Sequence, residues 1–310
     1  MVLSVCANPS VDSFWSIESI KKGTTNRSSN ESFYPGGKGI HVAMALNELG
    51  ETTTSLSVWG GMTGRWIKEQ CKQQGISTLG PIIDSWTRIC ITNKSKNEWQ
   101  DTELLGAGPS LDDKDTEQFL RAYSQSLENE PVDAVTISGS VPTGFNNNIY
   151  NKLITIAKNH DTPAFLDAGG ELLRQGLKAK PFGVHVNLDE GSTLTEHSDP
   201  IKISTLLQQK CNLAAVTAGK DGLYLATKNG VLHATHQLNQ QQIISTIGAG
   251  DCLLAGLCKA FLHTDNVMEW ARLSTACGSA NCIHPKLGML NSNEVDQIKP
   301  NVKVEQVASV

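Results

Sequence analysis

The chain has 310 residues, a length that suits one large α/β domain or two smaller ones. Its 39% hydrophobic content supports a substantial core, and 26 basic against 31 acidic residues give a formal net charge of −5. Without a basic surplus we expect no nucleic-acid partner, and no apolar run approaches the length of a membrane span. The N-terminal run at 1–7 lacks a basic region, so we interpret it as a first strand rather than a signal peptide.

The eight cysteines form no C-x-x-C pair and no metal-ligand spacing with histidine. Several lie in apolar segments, where a thiol packs as a small hydrophobic side chain. This usage indicates a reducing environment, and we therefore expect a cytoplasmic protein.

Strand-like and helix-like patterns alternate along most of the chain. Short apolar runs predict strands, and apolar positions at helical spacing predict helices that stop at a glycine, as at Gly50 and Gly75. In chain order the predicted elements are a strand at 3–6, a helix at 38–49, a strand at 54–58, a helix at 66–74, a strand at 133–137, a helix at 147–158, strands at 164–166, 183–186 and 213–216, the end of a strand at 243–247, and helices at 251–261 and 268–284.

This alternation predicts a three-layer αβα fold in a single domain at 1–310, with helices on both faces of a mostly parallel central sheet. Right-handed crossovers place the carboxyl ends of parallel strands along one edge, which is where such sheets bind ligands. Polar residues cluster at that edge; they are Asn8, Asp12, Ser138, Asp167, Asn187, Thr217 and the segment 248–251.

Two stretches, at 11–35 and 87–109, break the alternation with short strand patterns separated by polar turns at 21–24 and 93–97. We interpret them as antiparallel strands inserted into the α/β body as a small β-sheet lid beside the ligand edge. Exposed edges of lid strands commonly pair with another copy, so we expect a homodimer through the lid. The tail at 300–310 is weakly patterned and is expected to fray.

The segment 243–256 combines a β-branched run, a glycine turn at Gly248-Ala249-Gly250 and a helix with Asp251 in its first turn. Free backbone N–H groups at such a junction form an anion site. An acid beside a bound anion can take a proton from a hydroxyl group that attacks the anion. The competing interpretation is an ordinary carboxylate at a helix start.

Two other glycine clusters could also present backbone N–H groups to a ligand. Gly36-Gly37-Lys38-Gly39 precedes a predicted helix without Walker A spacing, so it is either a turn that contacts a ligand or a flexible loop. The segment from Thr217 to Gly222 follows a predicted strand and would be an ordinary turn on its own. A nicotinamide site at Gly248-x-Gly250 is disfavoured, because Leu253 occupies the third glycine position of that fingerprint.

Together these motifs resemble the ribokinase-like (PfkB) carbohydrate kinase family over essentially the whole chain. Residues 36–50 are similar to the first family signature, and residues 245–256 to the second. The segments 8–12, 26–27, 87–88 and 138–142 are similar to the phosphosugar branch, which includes 1-phosphofructokinases and tagatose-6-phosphate kinases. The resemblance implies a ribokinase-like fold and a kinase that uses ATP and Mg²⁺.

The resemblance also implies a role for each matching position. Asp251 would be the general base, and the amides of Gly248, Ala249 and Gly250 would hold the γ-phosphate. Residues expected to bind the sugar phosphate are Asp12, Gly36, Gly37, Lys38, His41 and Ser138, with Arg27 and Arg88 from the lid on its phosphate group. Residues expected on the nucleotide side are Asn187, Thr217, Gly219, Gly222 and Asn281, with Glu190 organising Mg²⁺ indirectly.

Three positions on the sugar side depart from the family pattern: His41, Cys90 and Leu105 stand where the pattern has asparagine. The catalytic segment is intact, so we expect a kinase of a phosphorylated ketohexose, either fructose 1-phosphate or tagatose 6-phosphate. The alternatives are a kinase of an unphosphorylated sugar or nucleoside, and a catalytically weak sensor of sugar phosphate and nucleotide. In competing interpretations of single residues, Arg27 and Arg88 are solvated lid residues, His41 is a structural histidine and Glu190 is a surface acid.

Overall fold

The structure, a computed structural model, describes residues 1–95, 98–286 and 288–309. In chain order its strands are β1 (Val2–Cys6), β2 (Ser10–Trp15), β3 (Glu31–Gly36), β4 (Thr53–Ser57), β5 (Trp59–Gly60), β6 (Ser77–Leu79), β7 (Ile82–Ile83), β8 (Arg88–Asn93), β9 (Glu103–Leu105), β10 (Ala134–Ser138), β11 (Ala164–Asp167), β12 (Gly183–Asn187), β13 (Leu213–Thr217), β14 (Leu223–Thr227), β15 (Gly230–Thr235) and β16 (Lys303–Ala308). Its helices are α1 (Lys38–Glu48), α2 (Gly61–Gln73), α3 (Asp113–Asn129), α4 (Ile149–Asn159), α5 (Gly170–Lys178), α6 (Leu188–Thr195), α7 (Pro200–Gln208), α8 (Ala249–His263), α9 (Val267–Ile283) and α10 (Ser292–Ile298). Within the described residues, no helix is both long and apolar enough to cross a membrane.

The large sheet contains ten strands in the order β16-β15-β14-β13-β12-β11-β10-β1-β4-β6. The strands from β13 to β6 are parallel, and β14, β15 and β16 add an antiparallel edge. The central strands β1 and β10 are buried along their whole length. Such strands are apolar on both sides because helices cover both faces of the sheet.

Helices pack on the two faces of this sheet in separate apolar layers. On one face, α3, α4, α5 and α7 bury side chains such as Phe119 and Leu153 against the strands. On the other face, α1, α8, α9 and α10 bury side chains such as Leu46, Leu254 and Trp270. Each such side chain contributes about 1.5–3 kcal/mol when it is fully buried. The predicted three-layer αβα fold with a mostly parallel sheet is therefore confirmed.

A smaller sheet of four strands stands beside the large one, in the order β3-β2-β8-β9. Its outer pairs are antiparallel as predicted, but the central pair, β2 with β8, is parallel. The reason is that both strands leave the body after parallel strands, β2 after β1 and β8 after β6 and β7, so both point outward in the same direction. Lys96 and Asn97 of the predicted turn at 93–97 lie outside the described residues.

Two local predictions near the C-terminus are wrong. Residues 243–247 form no strand; instead, the N–H groups of Ile244 and Ser245 both donate to the carbonyl oxygen of Cys282, at 2.8 and 3.4 Å. The β-branched run therefore lies against the C-terminal end of α9 and does not join the sheet. The tail does not fray along its length, because β16 pairs with β15 and closes the antiparallel edge of the sheet.

The carboxyl ends of five parallel strands meet at one edge of the large sheet. These strands are consecutive neighbours in the sheet: β1, β10, β11, β12 and β13. A polar residue lies at or just after the end of each strand. The small sheet begins at the same edge, because β2 starts only four residues after the end of β1. The edge and the small sheet together enclose the candidate site.

Candidate active site

A glycine turn starts helix α8 at this edge. Gly248 has φ +83° and precedes the helix without any side-chain cap. A Cβ atom at Gly248 would overlap the Cα of Gly288, and one at Gly250 would lie 2.8 Å from Cε1 of His185. Since no side chain fits at either position, the turn presents backbone N–H groups, as anion sites at helix starts do. The carboxylate of Asp251, only 5% exposed, follows in the first turn.

His41 bridges two carboxylates in this site. Its Nδ1 lies 2.9 Å from Oδ2 of Asp251, and its Nε2 lies 3.2 Å from Oδ2 of Asp12. Burial alone would lower the pKa of His41, but the hydrogen bonds and charges of Asp12 and Asp251 outweigh burial and raise the pKa to about 10. His41 is therefore an imidazolium at neutral pH, and its positive charge separates two negative ones.

Glycines allow the start of α1 to approach β1 and β2 closely. A Cβ at Gly36 would overlap the carboxylate of Asp12, and one at Gly37, where φ is +96°, would lie 2.9 Å from Sγ of Cys6. Helix α1 begins directly afterwards with Lys38, and the helix carries His41 one turn later. The cluster is therefore a close packing junction that brings Asp12, Lys38 and His41 together, not a flexible loop.

A second charged network runs from Lys38 at the start of α1 to the end of β13. Nζ of Lys38 lies 2.7 Å from Oδ1 of Asp167, whose Oδ2 lies 2.8 Å from Nδ1 of His185. Nε2 of His185 lies 3.3 Å from Oγ1 of Thr217. Asp167 is fully buried. Burial raises its pKa, but the charges of Lys38 and His185 outweigh burial and hold the pKa well below its ordinary value.

Sequence reasoning assigned no functional role to Asp167 or His185. The sequence indicates Asp167 only as one of the polar residues at the ends of predicted strands. The missed signal is a histidine inside an otherwise apolar strand of a sheet buried on both faces, where polar side chains need a partner.

Several buried polar atoms around Arg88 have no hydrogen-bond partner among the described residues. They include Nε of Arg88, Oγ of Ser138 and Oδ1 of Asn8. Asn8 and Arg88 are joined through one loop, because Nη1 of Arg88 donates to the carbonyl of Gly106 at 3.3 Å and Nδ2 of Asn8 donates to that of Ala107 at 3.1 Å. Nδ2 of Asn8 also lies 3.3 Å from Oγ of Ser140, two residues after Ser138. An unsatisfied buried polar atom costs about 1–3 kcal/mol, so a group of them is typical of a site that a ligand completes.

Arg27 lies apart from this group. It is exposed on the connection between β2 and β3, a segment tied down by local hydrogen bonds such as that from the backbone N–H of Lys21 to Oδ1 of Asn26 at 2.8 Å. The two lid arginines predicted to bind one phosphate group thus have different surroundings, with Arg88 partly buried and Arg27 exposed.

Asn187 and Glu190 form a capping box at the start of α6. Oδ1 of Asn187 accepts from the N–H of Glu190 at 2.8 Å, and Oε2 of Glu190 accepts from the N–H of Asn187 at 3.0 Å. Among the described residues no three His, Cys, Asp or Glu side chains are grouped so that they could hold a metal ion. Mg²⁺ at nucleotide sites keeps several waters and uses only one or two carboxylates together with phosphates. The half-buried carboxylate of Glu190 fits that kind of site.

The remaining predicted nucleotide residues fall into two places. Thr217, Gly219 and Gly222 surround the turn after β13, where a Cβ at Gly219 would have open space and one at Gly222 would overlap the carbonyl of Ala234. Asn281 is buried in α9 and donates from Nδ2 to the carbonyl of Met289 at 2.8 Å. That amide lies 3.5 Å from a Cβ built at Gly248, so Asn281 packs against the glycine turn that starts α8.

Comparisons with known proteins agree on one family. A model described as pfkB family carbohydrate kinase matches residues 8–291. A 1-phosphofructokinase from Bacillus subtilis is 31% identical over 313 residues, which cover 99% of this chain and 100% of the relative. A tagatose-6-phosphate kinase from Staphylococcus epidermidis is 29% identical over 316 residues, with coverage of 99% and 100%. A solved structure described as a possible 1-phosphofructokinase from Thermotoga maritima has a TM-score of 0.87 and 28% identity over 99% of both chains.

Proposed function

Because the chain belongs to the pfkB family of carbohydrate kinases, we propose that it transfers the γ-phosphoryl group of ATP to a hydroxyl group of a phosphorylated ketohexose. The observation that carries the proposal is the buried carboxylate of Asp251 in the first turn of α8, directly after the uncapped glycine turn. A base and a set of anion-binding amides thus lie within one helical turn of each other. The related 1-phosphofructokinase and tagatose-6-phosphate kinase support fructose 1-phosphate and tagatose 6-phosphate as the first substrates to test.

Phosphoryl transfer depends mainly on positioning, charge neutralisation and exclusion of water. We assign Asp251 as the group that accepts the proton of the attacking hydroxyl. The new O–P bond forms to that oxygen while the bond between the γ-phosphorus and the leaving oxygen of ADP breaks. The N–H groups of Gly248, Ala249 and Gly250 stabilise the charge of the transferring group. Mg²⁺, when bound, neutralises charge on the nucleotide phosphates, and Asn187 and Glu190 are the residues we assign to organise it.

On the sugar side we assign Asp12, Lys38 and Ser138 to the sugar and Arg88 to its existing phosphate group. The unsatisfied Nε of Arg88 supports this assignment, because a phosphate oxygen would satisfy it. We assign Arg27, which is exposed on the connection between β2 and β3, as a second phosphate ligand. On the nucleotide side we assign Thr217, Gly219 and Gly222, which surround the turn that follows β13.

The small sheet serves as the lid in this proposal. Two hydrogen bonds support that role: Oγ of Ser245 donates to Oδ1 of Asp101 at 3.2 Å, and Nζ of Lys94 donates to the carbonyl of Pro285 at 3.3 Å. They connect the far end of the lid to the loop that precedes α8 and to the loop that follows α9. A lid held there would keep water from hydrolysing ATP.

We also propose that two copies of the chain pair through the lid. Strand pairing sets Phe33, Ser13, Ile91 and Leu104 in one row across the small sheet, which is apolar except for the buried Ser13. Phe33 and Leu104 are 51% and 63% exposed, and such an apolar row on a sheet face commonly marks an interface. All eight cysteines are free thiols, which supports a reducing compartment for the reaction.

The test is an assay of ADP release across fructose 1-phosphate, tagatose 6-phosphate, the corresponding free sugars and nucleosides. We expect turnover with a sugar phosphate, and a KM for it about 10- to 100-fold higher in Arg88→Ala, because a charge-assisted hydrogen bond to phosphate is lost. Arg174→Ala, an exposed residue on α5, is the matched control and should leave KM unchanged. Turnover restricted to free sugars or nucleosides would reject the phosphosugar assignment, and tight binding without transfer on every compound would favour a sensor.

A further inference from the structure

His41 occupies a position in the site that its assignment as a sugar ligand does not explain. It lies on α1, yet its ring contacts the general-base candidate on α8 and a carboxylate on β2 of the lid at the same time. Both ring nitrogens are therefore already engaged by the protein. A histidine whose two nitrogens are both bound by carboxylates has no N–H left with which to bind a sugar.

The contacts fix which oxygen of Asp251 is available. Oδ2 of Asp251 is held by Nδ1 of His41 at 2.9 Å, so Oδ1 is the oxygen left to meet a hydroxyl group. The ring itself is held from two further sides. Oγ of Ser10 donates to Oδ1 of Asp12 at 2.6 Å, which orients the second carboxylate, and the backbone of Gly288 lies against the ring, where a Cβ would come within 2.6 Å of Nε2.

Asparagine, which the family signature has at this position, would act differently. Its amide is neutral and carries an acceptor oxygen, whereas an imidazolium offers two N–H donors on opposite sides of one rigid ring and a full positive charge. Only the imidazolium can hold two carboxylates apart while it hydrogen-bonds to both.

We propose that His41 is a positioning residue, whose imidazole holds one oxygen of Asp251, directs the other toward the substrate hydroxyl, and ties the catalytic base to Asp12 on the lid. The proposal rests on the function proposed above for Asp251. It gives the departure from the family pattern a role: the geometry of the base depends on a ring that also touches the sugar-binding strand.

Other charges also act on this group. Lys38 on the same helix interacts electrostatically with Asp251, and Glu103 on β9 interacts electrostatically with His41 and Asp12. Facing groups on β2, α8, β9 and α1 are thus Asp12, Asp251, Glu103 and Lys38. Loss of the imidazolium would leave Asp251 and Asp12 without the cation that lies between them.

The first test uses ¹⁵N NMR of the histidine rings and needs no substrate. We expect His41 to keep both ring nitrogens protonated from about pH 6 to about pH 9, far above the pKa of about 6.5 of a free histidine. In Asp251→Asn, the Nδ1–H signal should shift because its charged carboxylate acceptor is replaced by a neutral amide. A His41 ring that titrates like a free histidine in both proteins would overturn the proposal.

The second test is kinetic, with His41→Asn and His41→Ala, and with His263→Asn as control. His263 lies at the far end of α8, 60% exposed, and its Nε2 lies 2.7 Å from Oε1 of Glu51, which takes no part in the proposed site. We expect kcat to fall about 10- to 100-fold in both His41 variants with the KM for ATP unchanged, because the base is misplaced but the nucleotide site is intact. The acid limb of the kcat/KM profile should move to higher pH, because the cation between two carboxylates is lost.

A double variant separates positioning from packing. If His41 acts through Asp251, His41→Asn combined with Asp251→Asn should be no slower than Asp251→Asn alone. Additive losses, or an acid limb that stays in place while only the melting temperature falls, would overturn the proposal. If no sugar phosphate is turned over at all, the proposed function fails, and the NMR result still decides whether His41 holds Asp251.

Discussion

Gly248→Ala is the sharpest steric test of the glycine turn. Gly248 has φ +83°, where alanine is strained by about 1–2 kcal/mol. The added Cβ would also overlap the Cα of Gly288 and lie 2.9 Å from its backbone nitrogen. Carbon atoms pack at about 3.5 Å or more, whereas the added Cβ would lie 2.3 Å from the Cα of Gly288, so the turn or the facing backbone must shift by about 1 Å or slightly more. A misplacement of about 1 Å costs about 100-fold in rate, or about 2.7 kcal/mol of barrier.

Gly75→Ala is the matched control for this substitution. Gly75 has φ +80°, but its nearest atom to an added Cβ is Oδ1 of Asn47 at 4.0 Å. Both variants carry the same backbone strain, and only Gly248→Ala carries the overlap. Steady-state assays should therefore show an approximately 100-fold loss of kcat in Gly248→Ala alone, while both variants lose about 1 kcal/mol or more in denaturant unfolding. A Gly248→Ala enzyme with the kcat of the control would refute the role of the turn.

Three further predictions address the charges and the lid. Asp167→Asn removes the shared partner of Lys38 and His185, and urea unfolding should show a loss of about 3–5 kcal/mol in the free energy of unfolding. Because the pKa of Asp167 is lowered in the folded state, its contribution to stability should be complete above about pH 4 and weaken as the pH falls. A variant as stable as the parent at pH 7 would contradict the network. The pKa of His41 is raised to about 10, so the stabilisation by this ring should be complete below the unfolded pKa of about 6.5 and be lost as the pH rises through about 10. The free energy of unfolding, measured at a series of pH values, should fall over that range in the parent and change less in His41→Asn. Leu104→Asp places a charge in the apolar row of the lid, and light scattering at micromolar concentration should show a dimer for the parent and a monomer for the variant; a monomeric parent would remove the interface.

Much of the fold followed from local sequence signals. The predicted strand at 3–6 and the predicted helix at 38–49 differ from β1 and α1 by one residue at an end, because a strand buried on both faces and a helix with an apolar stripe have patterns of their own. The same local pattern predicts a strand at 243–247, where the structure has none. The β-branched residues of this segment satisfy the strand pattern, but the N–H groups of Ile244 and Ser245 donate to the carbonyl of Cys282 on α9, and no local pattern reports that contact.

Within the site, residues on glycine turns could be predicted, and contacts between distant segments could not. The Gly-Ala-Gly-Asp segment indicated an anion site with an acid because its parts are adjacent in the chain. The bridge from Asp12 through His41 to Asp251 joins residues more than 200 positions apart, and the link from Asp167 to His185 depends on the register of β11 with β12. Both depend on tertiary geometry, which explains why the sequence predicts His41 as a sugar ligand or a structural histidine and not as a partner of Asp251.

The central claim is that Asp251 takes the proton of the substrate hydroxyl beside the glycine turn. Its most direct test is the kcat of Asp251→Asn with the best sugar phosphate, together with the Kd for ATP. The account predicts a loss of turnover of about 100-fold or more, the range for removal of a general base, with ATP affinity retained. Turnover within a few-fold of the parent would contradict it.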